Sequence, residues 1–148
     1  MVIYNIKDKL EYLEEIVVLT KKEWENGEIT KAKLKEKINK ITADLARNDY
    51  CKLILLDNDK LVGFVSIFPT DGDEEKHLTP WYATMYIKKE YRRQGYSKIL
   101  NEAILKEARE GGFKKLYLKT NLNNYYEKLG AKYKKTLKNG EKLYYIET

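Results

Sequence analysis

WYATMYIKKEYRRQGYSK, residues 81–98, joins an apolar-to-aromatic run to a basic turn that contains glycine. Ala83 to Ile87 is short and rich in β-formers, and it predicts a strand. Arg92 to Lys98 is basic and runs directly into a helical pattern. A strand, a tight basic turn and a helix start together leave several backbone N–H groups free to face an anion. The helix N-terminus adds a partial positive charge, and Arg92, Arg93 and Lys98 add full ones. The stretch is therefore suited to hold a phosphate-bearing ligand beside a strand.

Downstream, Ile99, Leu100, Ala103, Ile104 and Ala108 predict an amphipathic helix that Gly111-Gly112 terminates. A strand follows within Phe113 to Thr120, and a strand-helix-strand unit of this kind predicts a right-handed parallel crossover. Asn121 to Asn124 is a polar turn into a short helix, Tyr125 to Leu129, stopped by Gly130. The last two strands, about Lys132 to Leu137 and Lys142 to Glu147, flank Asn139-Gly140, the strongest hairpin signal in the chain. Upstream, Met1 to Asn5 has β-forming character. Asp8 with Glu11 resembles a capping box, followed by a stripe of Leu10, Leu13, Val17, Thr20 and Trp24 that Asn26-Gly27 ends. Trp24 suits either the rim of the core or the wall of a substrate groove. Thr30 can cap a second helix, striped by Leu34, Ile38, Ile41 and Leu45. Cys51 to Leu56 and Leu61 to Phe68, joined by Asp57-Asn58-Asp59, read as an antiparallel hairpin. The expected architecture is one α/β domain over residues 1–148, with a mixed, mostly antiparallel sheet of six to seven strands and helices on both faces.

At 148 residues the chain suits one domain with a real core. No apolar stretch approaches the roughly 20 residues that span a bilayer, and no apolar signal-peptide core follows Met1. One cysteine and one histidine leave no cluster of nitrogen and sulfur donors for a metal. Cys51, inside an apolar strand pattern, reads as an inert thiol, and the compartment expected is a reducing cytoplasm. The net charge of +6 is spread over lysines interleaved with glutamates, the pattern of a solvated surface. Nucleic acid and membrane are not expected partners. The acidic loop at Asp71, Asp73, Glu74 and Glu75 reads first as solvated, with attraction of a cationic substrate as the alternative.

Taken together, these features resemble the GNAT superfamily of acetyl-CoA-dependent N-acyltransferases. The glycine-turn signature Q/R-x-x-G-x-G/A appears as Arg92-Arg93-Gln94-Gly95-Tyr96-Ser97, with Ser97 where Gly or Ala is usual. Serine is small enough for close approach of a phosphate and can add a donor. Tyr125-Tyr126-Glu127-Lys128-Leu129-Gly130-Ala131 looks like the family's F/Y-Y-E-K-L-G-F segment, with Ala131 replacing the usual aromatic. Pro80-Trp81-Tyr82-Ala83 is similar to the P-W-x-A opening of one branch. The order of elements agrees over essentially the whole chain.

The resemblance implies that the strand at Ala83–Ile87 splays from Phe113–Lys119 and pairs with the pantetheine of acetyl-CoA, through the main chain of Met85 and Ile87. It implies that Arg92, Arg93, Gln94, Gly95, Tyr96, Ser97 and Lys98 hold the pyrophosphate, chiefly by amides. Asn121 is positioned to contact cofactor or substrate. The implied reaction is direct attack of a primary amine, of a small molecule or peptide, on the acetyl thioester. Tyr126 matches the family's general acid, with Tyr125 as the fallback. No carboxylate between Trp81 and Ile87 offers a general base. His77 reads as an incidental loop residue, and Tyr82, Thr84 and Tyr86, alternating onto one face, could position a water. A chain that keeps the cofactor fold but only binds acyl-CoA is the alternative reading. The protein is expected as a monomer or homodimer.

Overall fold

Seven strands form one sheet in the computed structural model, which describes residues 1–148. They are β1 (Val2–Asn5), β2 (Cys51–Asp57), β3 (Lys60–Phe68), β4 (Trp81–Ile87), β5 (Lys115–Thr120), β6 (Lys132–Thr136) and β7 (Lys142–Glu147). Their spatial order is β1-β2-β3-β4-β5-β7-β6, and only β4 and β5 run parallel. Three helices complete the chain: α1 (Leu13–Thr20), α2 (Lys31–Asp44) and α3 (Tyr96–Glu110). The mixed, mostly antiparallel sheet expected from the sequence is present, and β1 brings its strand count to seven.

Alternation along β2 sorts the core into two layers, because successive side chains in a strand point to opposite faces. Leu53 and Leu55 join the cluster that contains Leu100, Ile104 and Ala108 of α3. Ile54 and Leu56 join the one that contains Leu13 and Ile16 of α1. Helices therefore cover both faces. Asn58 and Asp59 turn the β2–β3 hairpin with φ of 46° and 67°, the left-handed pair that a tight two-residue turn needs.

The first helix starts later than Asp8. Asn5 caps a single turn at Ile6–Asp8 by accepting from the Lys7 N–H, and Lys9 then leaves helical geometry at φ −143°. A second short turn, Leu10–Tyr12, precedes α1. Burial of Ile6 and then of Leu13, Ile16 and Val17 decides this path, and Leu10 is left outside the core, 45% exposed. Beyond Thr20 the helix widens to π geometry through Lys21–Glu25 and stops at Asn26, whose φ is 57°. Thr30 caps α2 as expected, its hydroxyl accepting from the Lys33 N–H at 3.2 Å. No α2 residue is fully buried; Ile38 and Ile41 pack half-buried beside the α1 cluster, joined by Leu45 just beyond the helix. The helix expected at Tyr125 to Leu129 is one short turn, Glu127–Leu129, ended by Gly130.

Gly63 sits where β3 meets β4. A Cβ there would stand 2.4 Å from the Tyr86 carbonyl oxygen and 2.7 Å from Ile87 Cδ1. The nearer atom is backbone, so relief requires the strands to part. Gly63→Ala should lower stability by about 1–3 kcal/mol, the usual cost of overpacking, read as the urea midpoint; an unchanged midpoint would show that the two strands can yield freely.

Candidate active site

The ladder between β4 and β5 consists of one pair, Trp81 with Tyr117. Past that pair the strands part. Lys88 donates to Val62 of β3 at 2.9 Å, so by alternation the main-chain groups of Met85 and Ile87 face the side that β5 has left. The Ile87 carbonyl does turn away from β3, and it accepts from Arg92 Nε at 2.7 Å. The parting opens into a cleft of about 980 Å³ walled by β4, β5, α1, α2 and the turn before α2, with Asn121, Leu122 and Tyr126 along one side. Trp24 stands at its rim, 48% exposed and edge-on to Tyr86, so the groove position is the one it occupies.

At the far end of β4 the basic turn has the form its sequence suggests. Arg93 and Gly95 hold φ of 63° and 84°, and α3 begins at Tyr96. No backbone N–H from Arg93 to Lys98 donates to another group of the protein. These amides, at a helix start, form an anion cradle. Arg92 is turned back onto β4, bonded to Ile87 and lying over the Tyr86 ring at 5.5 Å, while Arg93 and Lys98 are exposed. Gln94 ties the turn together, donating to the Glu90 carbonyl and accepting from Tyr96. Ser97 is half-buried and Asn121 exposed. Open strand edge and amide cradle together suit a ligand with an extended amide arm ending in phosphates.

Tyr126 is half-buried on the cleft wall, edge-on to Tyr82 at 5.9 Å and to Tyr125 at 4.8 Å. Burial, with a smaller contribution from Tyr125, pushes its phenol above the ordinary range, so it stays protonated at neutral pH. The Tyr82 hydroxyl beside it is buried and without a hydrogen-bond partner.

The expected alternation of Tyr82, Thr84 and Tyr86 onto one face does not occur. The pairing of β3 with β4 slips between Phe64 and Ser66, and Thr84 takes φ of 49°. This β-bulge reverses the alternation. Tyr82 packs into the α3-side core, whereas Tyr86 stacks on Phe64 on the α1 side. Thr84 turns to the α1 side as well, its Oγ1 lying 2.8 Å from Ser66 Oγ. Ser66 in turn accepts from Lys52 Nζ at 2.6 Å. Burial pulls the Lys52 ammonium down from the ordinary 10.5 to about 8. Sequence reasoning passed over Lys52 and Ser66; the available signal was a lone lysine inside the apolar run of β2.

The other candidates lie elsewhere. His77 is exposed beside Glu75 and Lys135, away from the cleft. Cys51 is pushed up to about 12 by burial, which leaves almost no thiolate. Glu75 is committed to Lys135, and Asp71 reaches the cleft, its main-chain carbonyl accepting from Lys119 Nζ.

The profile of the Acetyltransferase (GNAT) family matches residues 13–131. The chain belongs to that family. Solved structures with the same fold agree along almost their whole length. Aminoglycoside 6'-acetyltransferase type Ii is 21% identical, with a TM-score of 0.72 over 99% of this chain and 97% of that one. Ribosomal-protein-alanine N-acetyltransferase from Brucella melitensis is 17% identical, with a TM-score of 0.76 over 100% of both chains. PaiA N-acetyltransferase from Thermoplasma acidophilum, solved in complex with coenzyme A, is 20% identical, with a TM-score of 0.67 over 100% of both. No curated protein matches the sequence. No helix of this GNAT chain is long and apolar enough to cross a membrane.

The lysine has a thermodynamic signature. Its pKa is lower in the folded than in the unfolded chain, so between about 8 and 10.5 the unfolded chain binds more protons and stability rises with pH. Below that window the fold carries the full penalty of a buried ammonium. Lys52→Met removes it, so the variant should gain on wild type at pH 7, and its advantage should shrink by about 2–3 kcal/mol by pH 10. Denaturant unfolding of both proteins at the two pH values checks this; a constant difference would mean that Lys52 titrates normally.

Proposed function

We propose that this GNAT-family protein transfers an acetyl group from acetyl-CoA to a primary amine of a small molecule or peptide by direct attack. The observation that carries the reading is the parting of β4 from β5, continuous with the free amides of Arg93–Lys98. The residues present fit the cosubstrate. The main chain of Met85 and Ile87 would pair with the pantetheine arm in the manner of an added strand, and the amides from Arg93 to Lys98 would hold the pyrophosphate, with Arg93 and Lys98 adding charge. Asn121 stands at the mouth of the same cleft. When bound, acetyl-CoA supplies the acetyl group as a thioester, and amine attack forms the amide C–N bond while the C–S bond breaks.

Backbone N–H groups on the open edge of β4 are suited to stabilise negative charge on the reacting carbonyl oxygen. Tyr126 is the proton donor to the departing sulfur. A phenol raised by burial is a weak acid against a thiol of ordinary pKa near 8.5, so its proton moves in concert with C–S cleavage rather than ahead of it. The same high pKa drives the phenolate to recapture a proton afterwards. The acceptor would enter from the α1 and α2 side of the cleft, past Trp24, and the protein would work as a monomer or homodimer.

Acetyl-CoA at micromolar concentration should raise the melting temperature. Tyr126→Phe should lower kcat by about 10²–10⁴-fold, the usual contribution of a general acid, while preserving that melting shift. A panel of amines read by mass spectrometry supplies the acceptor for the rate measurement. Binding without transfer to any amine, with Tyr126→Phe silent, would replace an enzyme with an acyl-CoA-binding module.

A further inference from the structure

Lys52 is 3% exposed, yet no carboxylate pairs with it; its Nζ lies 5.5 and 5.4 Å from the ring centres of Phe64 and Phe68. The charged and titratable groups around that position are otherwise engaged. Across from α2 and its end, Asp44 pairs with Lys40 and Arg47 with Asp49. Glu25, from the turn after α1, pairs with Lys37. On the adjoining positions Tyr50 stacks on Phe68, and the Cys51 thiol, kept protonated by burial, carries no charge. Asp71, in the loop after β3, is itself raised by burial. The one polar partner of Lys52 is Ser66, and the next is Thr84, on the bulge in the cleft wall. Two hydrogen bonds thus connect a buried amine to the place where β4 and β5 part.

We propose that Lys52, Ser66 and Thr84 are the proton-accepting path for the acceptor amine, with Lys52 as its terminus. This rests on the acetyltransferase reading above. The acceptor ammonium gives a proton to Thr84 Oγ1 as the Thr84 proton passes to Ser66 Oγ and the Ser66 proton passes to neutral Lys52 Nζ. The amine keeps the electron pair of the broken N–H bond for attack, each hydroxyl ends with one proton, and Lys52 ends as ammonium. Return along the same path after product release restores the neutral lysine. The lowered lysine pKa leaves about a tenth of it neutral at pH 7, rising to half near pH 8. The path also explains why a β-branched residue is held at positive φ at position 84: that geometry turns its hydroxyl to Ser66 instead of into the α3-side core.

The test compares two acceptors of one skeleton drawn from the amine panel. One is a basic amine, charged at pH 7; the other is a hydrazide or aromatic amine that arrives neutral. Lys52→Met, Ser66→Ala and Thr84→Val should each lower kcat for the basic amine by about 100-fold or more and change it only a few-fold for the neutral one. Thr84→Ser, which keeps the hydroxyl, should restore the basic-amine rate. The wild-type rise of kcat through about pH 8 with the basic amine should vanish in Lys52→Met. Equal losses for both acceptors would reduce the three residues to a structural role and overturn the proposal. A change confined to the KM of carboxylate-bearing acceptors would make Lys52 an anion anchor and overturn it too. The acetyl-CoA melting shift separates the levels: if wild type lacks it and transfers to neither amine, the acetyltransferase reading falls and the path with it.

Discussion

Trp81 with Tyr117 is the one ladder pair between β4 and β5, and the shape of the cleft follows from it. Trp81 is wholly buried, its indole N–H donates to the Leu78 carbonyl at 2.8 Å, and its ring tilts against Tyr117. Beside it the Tyr117 N–H donates to the Pro80 carbonyl at 3.1 Å. These contacts pin one end of both strands. Beyond them, β5 follows β7 through a six-residue ladder while β4 stays with β3. Main-chain groups in the middle of a sheet are ordinarily paired, because a buried one left alone costs free energy. Here the fold keeps an open edge next to a helix start, where a ligand of complementary length and charge can satisfy both.

Strain and buried charge meet beside that opening. A β-branched residue at positive φ costs on the order of 1–3 kcal/mol, and Thr84 carries that cost on the bulge. A pKa near 8 on a lysine that ordinarily titrates at 10.5 corresponds to about 3 kcal/mol against its ammonium. Both fall on one hydrogen-bonded chain through Ser66, where hydrophobic residues would have been the more stable choice. Concentrated local cost at the wall of a cleft is the pattern expected where stability is given up for chemistry. Further along the same two strands, Gly63 is held close to Tyr86 and Ile87, an approach that only a residue without Cβ allows.

Much of the fold was legible in local residues. The hairpin at Asn58-Asp59, the cap at Thr30 and the stop at Gly130 are short-range chemistry, and each stands where the sequence reading put it. The start of α1 departs from the Asp8-Glu11 pattern because that pattern competes with burial of Ile6, a tertiary demand that no capping box reveals. Met85, Ile87 and Arg92–Lys98, expected to face the cofactor, lie along one open edge and one turn whose amides are free from Arg93 onward, because a strand and the turn after it are contiguous in the chain.

By itself, then, the sequence determined the order of elements, the family resemblance and the basic glycine turn, all of which depend on neighbours a few residues apart. Only the tertiary structure decided that Tyr82 and Thr84 face opposite sides of the sheet, and that Lys52 reaches Thr84 through Ser66. Those three hydrogen-bonding residues come from three strands. Their meeting depends on cross-strand register and on one inserted residue that reverses a period-two pattern, and neither quantity is written in the composition of any single strand.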